Sequence, residues 1–280
     1  MKLVRYGEIG KEKPGLVDKS GQLRDLSAHL QDFVGDAFSP ASLAKIAGLD
    51  PAKLPAVSGK PRIGAPVGGL PKFIAIGLNY SDHAAEVGMA LPTEPIVFMK
   101  ANNSLCGPND AVEKPRGSTK LDWEVELAIV IGTRAKYVSE ADALNHVAGY
   151  CVCNDVSERY FQQERGGQWT KGKSHDTFGP VGPWLVTRDE IADVQKLSMW
   201  LDVNGKRCQT GSTATMIFGV KKIVSYLSEI LTLMPGDVIA TGTPPGVGMG
   251  MKPPKFLNIG DVVTLGIEGL GEQRQEIIAA

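Results

Sequence analysis

The sequence predicts an α+β fold that is rich in β-strands. Among its 280 residues are 33 glycines and 18 prolines, roughly 18% of the chain where about 12% is usual. These residues favour tight turns, and many tight turns imply many short strands. Strand-length apolar segments do not alternate strictly with helical ones, so a doubly wound parallel sheet is not expected.

The first 70 residues are expected to form a small N-terminal domain with its linker. Residues 2–6 are predicted to form a strand, and residues 19–21 a turn between two further strand segments. A short helix is predicted over residues 41–47, because Ser39-Pro40 is a typical helix start. Five prolines and four glycines between positions 51 and 71 indicate a linker.

Residues 71–280 are expected to form the larger domain. Apolar runs bounded by turn residues predict strands at about 73–77, 95–100, 123–131, 148–154, 199–203, 237–241 and 261–267. Apolar residues at helical spacing and capping residues predict helices at about 81–87, 139–146, 156–165 and 219–231.

Charge and composition exclude several classes of function. The chain has 30 basic and 31 acidic residues, so it lacks the basic excess typical of nucleic-acid binding. No apolar run reaches the 18 or so residues that span a membrane. The charged N-terminal segment is unlike a secretory leader, and four cysteines without ligand spacing predict neither zinc nor a disulfide scaffold. A cytoplasmic location is therefore expected.

Two segments match phosphate-binding motifs in their letters only. Residues 167–174 fit the phosphate-loop pattern, but a polar segment precedes them and the glycines and prolines after them exclude a helix. Residues 246–250 are glycine-rich, yet Pro253 and Pro254 follow where a dinucleotide site needs a helix. Neither segment predicts a nucleotide site.

Three carboxylates carry the first chemical signal. Glu124 and Glu126 are two residues apart on a predicted strand, so they share a face, and Asp155 ends a second apolar strand. Because like charges repel in a low dielectric, something positive must offset them. A lysine or arginine from a neighbouring strand, or exposure at a sheet edge, would suffice. A bound Mg²⁺ or Mn²⁺, or Ca²⁺, would also fit, since hard cations prefer oxygen ligands.

Other polar residues have helical spacing that suits a site. His83 and Glu86 share a face, so the carboxylate can orient the imidazole as a base, although a surface pair without a role has the same pattern. Arg159 and Gln162 share the face of Asp155 and can reach an anion, or form an ordinary polar face. Lys173 has no role that the sequence alone assigns.

Taken together, these residues resemble the fumarylacetoacetate hydrolase family. The resemblance covers about residues 71–280 and rests on six motifs in the family's order: Gly77-Leu-Asn-Tyr-Ser-Asp-His83 with Glu86, Pro95-Ile-Val-Phe-Met-Lys100, Trp123-Glu-Val-Glu-Leu127, Asn154-Asp-Val-Ser-Glu-Arg159, Trp169-Thr-Lys-Gly-Lys-Ser174 and Thr241-Gly-Thr-Pro-Pro-Gly-Val-Gly248.

The resemblance implies a mixed β-sandwich roll, a homodimer and specific roles. It implies that Glu124, Glu126 and Asp155 bind Mg²⁺, Mn²⁺ or Ca²⁺. It assigns His83 and Glu86 to water activation and Lys173 to the substrate and metal. Arg159, Gln162 and Thr243 match substrate-contacting positions.

The reaction expected from the resemblance is metal-dependent hydrolysis of a C–C bond in a 2,4-dioxo acid, with release of pyruvate. The glycine-rich tail at 246–254 looks like a subgroup named for 2,4-diketo-3-deoxy sugar acids or ureidoglycolate. Ile76 stands where the animal enzymes have an acid, so fumarylacetoacetate itself is not the expected substrate. A lyase or decarboxylase acting on ureidoglycolate or oxaloacetate at the same site is the alternative, and binding without turnover is the third hypothesis.

Overall fold

The structure is a computed structural model that describes residues 1–86, 88 and 90–280. Its strands, in chain order, are β1 Lys2–Tyr6, β2 Lys13–Val17, β3 Leu23–Asp25, β4 Ile63–Gly64, β5 Phe73–Gly77, β6 Ile96–Lys100, β7 Leu105–Cys106, β8 Val112–Lys114, β9 Leu121–Asp122, β10 Val125–Ile131, β11 Val147–Asn154, β12 Ser157–Glu158, β13 Gly179–Thr187, β14 Ser198–Val203, β15 Lys206–Ser212, β16 Val238–Ala240, β17 Val262–Ile267 and β18 Gly271–Ala279.

The α-helices are short, and they are α1 Pro40–Ala47, α2 Ser81–Glu86, α3 Thr170–Lys173 and α4 Val220–Ile230. Helix α1 begins as predicted, because the Ser39 side chain accepts a hydrogen bond from the backbone N–H of Ser42. Helices α2 and α4 are confirmed, and residue 87 of the predicted 81–87 range lies outside the described residues. No described helix is long and apolar enough to cross a bilayer.

An eleven-stranded mixed sheet forms the centre of the molecule. Its main path runs β3-β2-β1-β13-β11-β10-β16-β5-β6, with β4 on β1 and β7 on β13. Side chains alternate along β10, where Val125, Leu127 and Ile129 enter one core while Ala128 and Val130 enter another. The sheet is therefore buried on both faces.

A five-stranded sheet, in the order β15-β14-β17-β18-β8, packs on one face of the large sheet. Met199, Leu201 and Leu265 from this second sheet share a core with Ile129 and Val152 from the first. Two packed sheets with few helices confirm the strand-rich α+β prediction and match the predicted sandwich-type fold.

The N-terminal strands join the same sheet as the larger region. Lys2 and Leu3 of β1 pair antiparallel with Val186 and Leu185 of β13. The predicted turn at residues 19–21 connects the antiparallel strands β2 and β3. The sheet therefore crosses the predicted boundary at residue 70. Whether residues 1–70 fold independently of the rest remains a prediction.

Two predicted helices are wrong in part. Within 156–165, residues Ser157–Glu158 form a ladder with Leu121–Asp122, and a π-helical turn follows at Tyr160–Glu164. The buried Glu158 carboxylate accepts hydrogen bonds from the backbone of Lys120 and Tyr160, which favours the extended pairing. Over 139–146 only a 3₁₀ turn at Ala143–His146 forms, preceded by a side-chain-capped turn at Ser139.

Three strands of seven or more residues lie outside every predicted strand range: β13, β15 and β18. Strand β13 carries Pro180 and Pro183, which remove backbone donors and normally argue against a central strand. It is nevertheless buried and pairs with β1 and β11. The apolar alternation that predicts strands is weak in all three because polar and small residues dominate them.

Candidate active site

The three predicted carboxylates converge where β10 begins and β11 ends. Val125 pairs with Asn154 in the antiparallel register, so Glu124 and Asp155 lie side by side. The backbone N–H of Asp155 donates to the carbonyl of Glu124 at 3.0 Å. One oxygen from each of Glu124, Glu126 and Asp155 lies within 4.8 Å of the others, and all three are buried.

Cationic side chains surround two of these carboxylates. Glu124 accepts from Arg159 Nη2 at 2.6 Å and from Lys173 Nζ at 2.7 Å. Asp155 accepts from Lys173 Nζ at 2.6 Å and from Lys100 Nζ at 2.5 Å. From the sequence, either a cation from a neighbouring element or a metal could offset the carboxylates, and the structure supplies such cations for Glu124 and Asp155.

These ion pairs fix the charge of their members. Burial alone would raise the pKa of Glu124, but Arg159 and Lys173 outweigh it and lower that pKa to about 2. Burial would lower the pKa of Lys173, whereas Asp155 and Glu124 raise it. The pKa of Arg159 is raised in the same way by Glu124 and Asp122 against the effect of burial.

Glu126 is left without a cationic partner among the described residues. One of its oxygens accepts from the backbone N–H of Gly242 at 2.8 Å. Burial, and then the charges of Asp155 and Glu124, raise its pKa well above the usual value. A dication in contact with all three carboxylates would remove this repulsion, so the oxygen-only donor set fits Mg²⁺, Mn²⁺ or Ca²⁺.

His83 stands on α2 at the same pocket. Its Nδ1 lies 2.9 Å from Glu86 Oε2, and Glu86 Oε1 accepts from the backbone N–H of Gly246 at 2.9 Å. Glu86 therefore joins the imidazole to the glycine-rich loop. No hydrogen bond to His83 Nε2 is found in the part of the chain that the structure describes, which leaves that nitrogen available to the pocket.

Asp122 is a buried acceptor for both Arg159 and the glycine-rich loop. It is fully buried, and its Oδ2 accepts from Arg159 Nε at 2.8 Å and from the backbone N–H of Met249 at 3.0 Å. Its Oδ1 accepts from the backbone N–H of Gly248 at 2.7 Å. The guanidinium and the glycine-rich loop are thus held by one carboxylate.

The structure brings all nine predicted site residues together. Eight of them line one pocket: His83, Glu124, Glu126, Asp155, Arg159, Gln162, Lys173 and Thr243. The ninth, Glu86, lies behind His83. Arg159 Nη1 donates to Gln162 Oε1 at 3.1 Å, and the Thr243 hydroxyl donates to the carbonyl of Val125 at 2.9 Å. Their individual roles in binding and catalysis stay predictions.

Sequence reasoning missed the structural parts that Lys100 and Asp122 play. Each occurs inside a segment that the sequence analysis singled out, but as an unassigned member. A lysine at the end of an apolar strand and an acid two residues before Glu124 were the available signals. Neither signal identifies a partner, because the contacts with Asp155 and Arg159 join segments that are 55 and 37 positions apart.

The phosphate-like segments have other uses here. Residues 167–174 contain the single-turn helix α3, which delivers Lys173 to the carboxylates rather than opening a long helix. Residues 246–250 supply backbone N–H groups to Glu86 and Asp122. Both interpretations as nucleotide loops stay excluded on the missing strand-to-helix context.

A two-layer β-fold that holds a buried carboxylate trio beside an oriented histidine defines a class of proteins that can bind a divalent cation in a small-molecule pocket. The particular family follows from comparison with known sequences. The chain belongs to the fumarylacetoacetate (FAA) hydrolase family, whose C-terminal model matches residues 72–278. The resemblance predicted from the motifs is confirmed.

A curated relative and several solved structures are similar over the whole chain. A Burkholderia orbicola protein with only a provisional hydrolase name is 63% identical over 276 residues, 98% of either chain. Fumarylacetoacetate hydrolase from Exiguobacterium antarcticum is 36% identical with a TM-score of 0.86, covering 100% of both chains.

Two further structures bear on chemistry. Maleylpyruvate hydrolase from Sphingobium, solved with manganese(II) and pyruvate, is 27% identical with a TM-score of 0.80 over 100% of both chains. The 2-hydroxyhepta-2,4-diene-1,7-dioate isomerase from Mycobacterium marinum is 31% identical with a TM-score of 0.77, covering 100% of this chain and 98% of that one. The family thus contains hydrolases and isomerases.

Proposed function

We propose that the protein is a divalent-metal-dependent hydrolase that cleaves the C3–C4 bond of a 2,4-dioxo acid and releases pyruvate. The observation that carries the proposal is the placement of His83 in the same pocket as the carboxylate trio. A similar protein was solved with manganese(II) and pyruvate, which supports both the metal and the product class.

Glu124, Glu126 and Asp155 would hold the cation. When bound, a divalent cation supplies Lewis-acid polarisation of the 2-oxo acid and neutralises negative charge that develops during cleavage. Carboxylate oxygens suit Mg²⁺ and Mn²⁺ alike, so turnover is expected with either ion.

The chain's own residues supply the proton transfers. His83, oriented by Glu86 through Nδ1, takes a proton from water at Nε2 while the water oxygen bonds to C4. The C3–C4 bond then breaks and its electron pair passes to C3, giving a carboxylic acid and the enolate of pyruvate. Protonation at C3 completes pyruvate, so the atoms of one water are distributed between the two products.

Lys173 and Arg159 fit the anionic parts of this substrate. Both are buried cations that line the pocket. Lys173 Nζ donates to Glu124 and Asp155, so it is positioned to stabilise the developing enolate beside the metal ligands. Arg159 would bind the substrate carboxylate through its planar guanidinium. The homodimer implied by the family resemblance remains a prediction.

The test is pyruvate release from 2,4-dioxohexanoate by protein stripped of metal and then supplied with Mg²⁺ or Mn²⁺. We expect turnover only after metal addition, and a fall in kcat of at least about 100-fold for His83→Asn, because a general base contributes roughly that much. The matched control is His29→Asn at an exposed histidine outside the pocket, which should keep wild-type turnover.

Two results would contradict the proposal. Full turnover by His83→Asn would show that His83 is not the general base. Equal turnover with and without metal would show that the reaction does not need a cation. If oxaloacetate is decarboxylated by both the wild type and His83→Asn while the dioxo acid stays intact, the lyase or decarboxylase alternative replaces hydrolysis.

A further inference from the structure

The start of β10, which carries two of the three carboxylates, lacks a neighbouring strand on one side. The ladder between β16 and β10 covers residues 128–130 and stops short of Val125. Val125 stands between Glu124 and Glu126 in the chain. Both backbone groups of one strand residue point to the same side of the strand. The N–H and C=O of Val125 therefore need partners from elsewhere, because a buried backbone group without a partner is costly.

Two buried side chains take the place of the missing strand. The backbone N–H of Val125 donates to Gln209 Oε1 at 3.0 Å, and its carbonyl accepts from the Thr243 hydroxyl at 2.9 Å. Gln209 belongs to β15, the edge strand of the five-stranded sheet, and it is 0% exposed. Its Nε2 donates to Thr243 Oγ1 and to the carbonyl of Pro244, both at 2.8 Å. Val125, Gln209 and Thr243 thus form a closed ring of hydrogen bonds.

The ring leaves no choice in the direction of its hydrogen bonds. The Thr243 hydroxyl has one proton, which goes to the Val125 carbonyl, so its oxygen accepts from Gln209. If the Gln209 amide were turned over, its NH₂ group would face the N–H of Val125, and two donors would meet. Thr243 lines the pocket, and the resemblance assigns it to the substrate. Its hydroxyl proton is nevertheless committed to the protein backbone.

The other side of the same stretch is tied to the end of β11. The backbone N–H of Glu124 donates to Asn154 Oδ1 at 3.1 Å, and the carbonyl of Glu124 accepts from the backbone N–H of Asp155 at 3.0 Å. Two consecutive residues, Glu124 and Val125, are thus held from opposite sides. A backbone held in this way keeps the carboxylates of Glu124 and Glu126 close together, although their like charges favour separation.

From this geometry we infer that Gln209 and Thr243 are positioning residues for the candidate cation site, which hold the backbone of Val125 so that the carboxylates on either side of it stay at the spacing a single cation requires. The inference rests on the proposed function, because it requires a cation at the carboxylate trio. It adds a residue of the second sheet to the site, and it gives the Thr243 hydroxyl a role other than contact with substrate.

Calorimetric titration with Mn²⁺ in the absence of substrate measures this role separately from turnover. Gln209→Met keeps the length of the side chain and removes its three hydrogen bonds. Thr243→Val keeps the shape of the side chain and removes the hydroxyl. We expect each variant to bind Mn²⁺ about 10- to 100-fold more weakly, the usual loss when a group that orients metal ligands is removed. Thr243→Ser retains the hydroxyl and should bind Mn²⁺ like the wild type.

The matched control is Gln195→Met. The amide of Gln195 also joins two backbone segments, since its Oε1 accepts from the N–H of Val220 and its Nε2 donates to the carbonyl of Thr213. It lies outside the pocket, so its loss should lower stability without changing the affinity for Mn²⁺. Urea unfolding of each metal-free variant confirms that the protein is folded under the conditions of the titration.

The double variant Gln209→Met with Thr243→Val tests whether the two side chains act as one unit. Because both act through the backbone of Val125, we expect the loss of affinity in the double variant to be close to the larger of the two single losses. Single losses that multiply in the double variant would show two separate effects and would overturn the ring as a unit.

The outcomes separate this inference from the function beneath it. Wild-type affinity in both Gln209→Met and Thr243→Val, or an equal loss in Gln195→Met, overturns the positioning role while the cation site and hydrolysis stand. Binding by Thr243→Ser that is as weak as that of Thr243→Val also overturns it, because the hydroxyl would then not be the group responsible. If the wild type binds no Mn²⁺, the proposed function loses its cation and the positioning role falls with it.

Discussion

At the scale of single residues, charge balance organises the site. Glu124, Asp155 and Asp122 each contact a buried cation, whereas the hydrogen bond found for Glu126 within the described part of the chain comes from the backbone N–H of Gly242. The uncompensated carboxylate is the one whose pKa burial and its acidic neighbours raise. The ion-pair network and the carboxylate trio therefore share two acids, Glu124 and Asp155.

Lys100 is expected to stabilise the fold through this network. It is 1% exposed, and its Nζ donates to Asp155 Oδ1 and to the carbonyl of Lys173, both at 2.5 Å. Lys100→Met should lower the free energy of unfolding by about 3 kcal/mol, because it leaves a buried carboxylate and a buried carbonyl with fewer partners. Urea unfolding measures the change.

The control for Lys100 is Lys120→Met. Lys120 pairs with Glu164, and both side chains are more than a third exposed, so a loss below about 1 kcal/mol is expected. Equal urea midpoints for the two variants would show that the buried ion pair of Lys100 stabilises the fold no more than the exposed pair of Lys120.

At the scale of elements, the glycine-rich loop joins the two sides of the site. Its backbone N–H groups contact Glu86 through Gly246 and Asp122 through Gly248. Gly246 has a φ of +105°, and a Cβ there would lie 2.0 Å from the carbonyl oxygen of Cys208. Only glycine allows this close approach of the loop to β15.

Gly246→Ala is therefore expected to displace the loop and release Glu86 from its anchor. We expect kcat/KM for 2,4-dioxohexanoate to fall at least about tenfold, since misplacing a positioned catalytic group has effects of that order or larger. Gly260→Ala is the control, because Gly260 has a φ of +90° but no atom within 4 Å of its added Cβ. If both variants lose the same activity, strain in the backbone rather than the loop contact is responsible.

At the scale of the whole molecule, residues from the N-terminal region complete the core on the second face of the large sheet. Leu3, Phe33 and Phe38 pack in the same cluster as Phe73 and Val181. Unfolding is then expected to involve the N-terminal strands together with the large sheet.

Leu3→Ala tests this coupling. Leu3 is 0% exposed, so the substitution should destabilise the protein by about 2–5 kcal/mol and shift one common transition seen by fluorescence and circular dichroism. The control, Leu91→Ala, changes a leucine that is 58% exposed and should have little effect. A separate early transition confined to the N-terminal region would instead support an independent domain ending near residue 70.

Much of this organisation was predictable where the pattern is local. Strand period alone placed Glu124 and Glu126 on one face opposite Val125 and Leu127, and cap residues placed the start of α1 at Pro40. Strand β13 was missed because its prolines and glycines hide the strand period. Ser157 and Glu158 were wrongly predicted as helical because pairing with residues 121–122 outweighs their local preference.

The sequence by itself determined the chemistry that is present: three acids, an oriented histidine and the family motifs around them. Only the tertiary structure decided which charges meet, because Lys100, Arg159 and Lys173 reach the acids from segments far apart in the chain. It also decided that Phe98 and Trp169 meet at the lining of the same pocket. Periodicity in the sequence indicates on which face of its own helix or strand a side chain lies. A site depends instead on where separate elements come together.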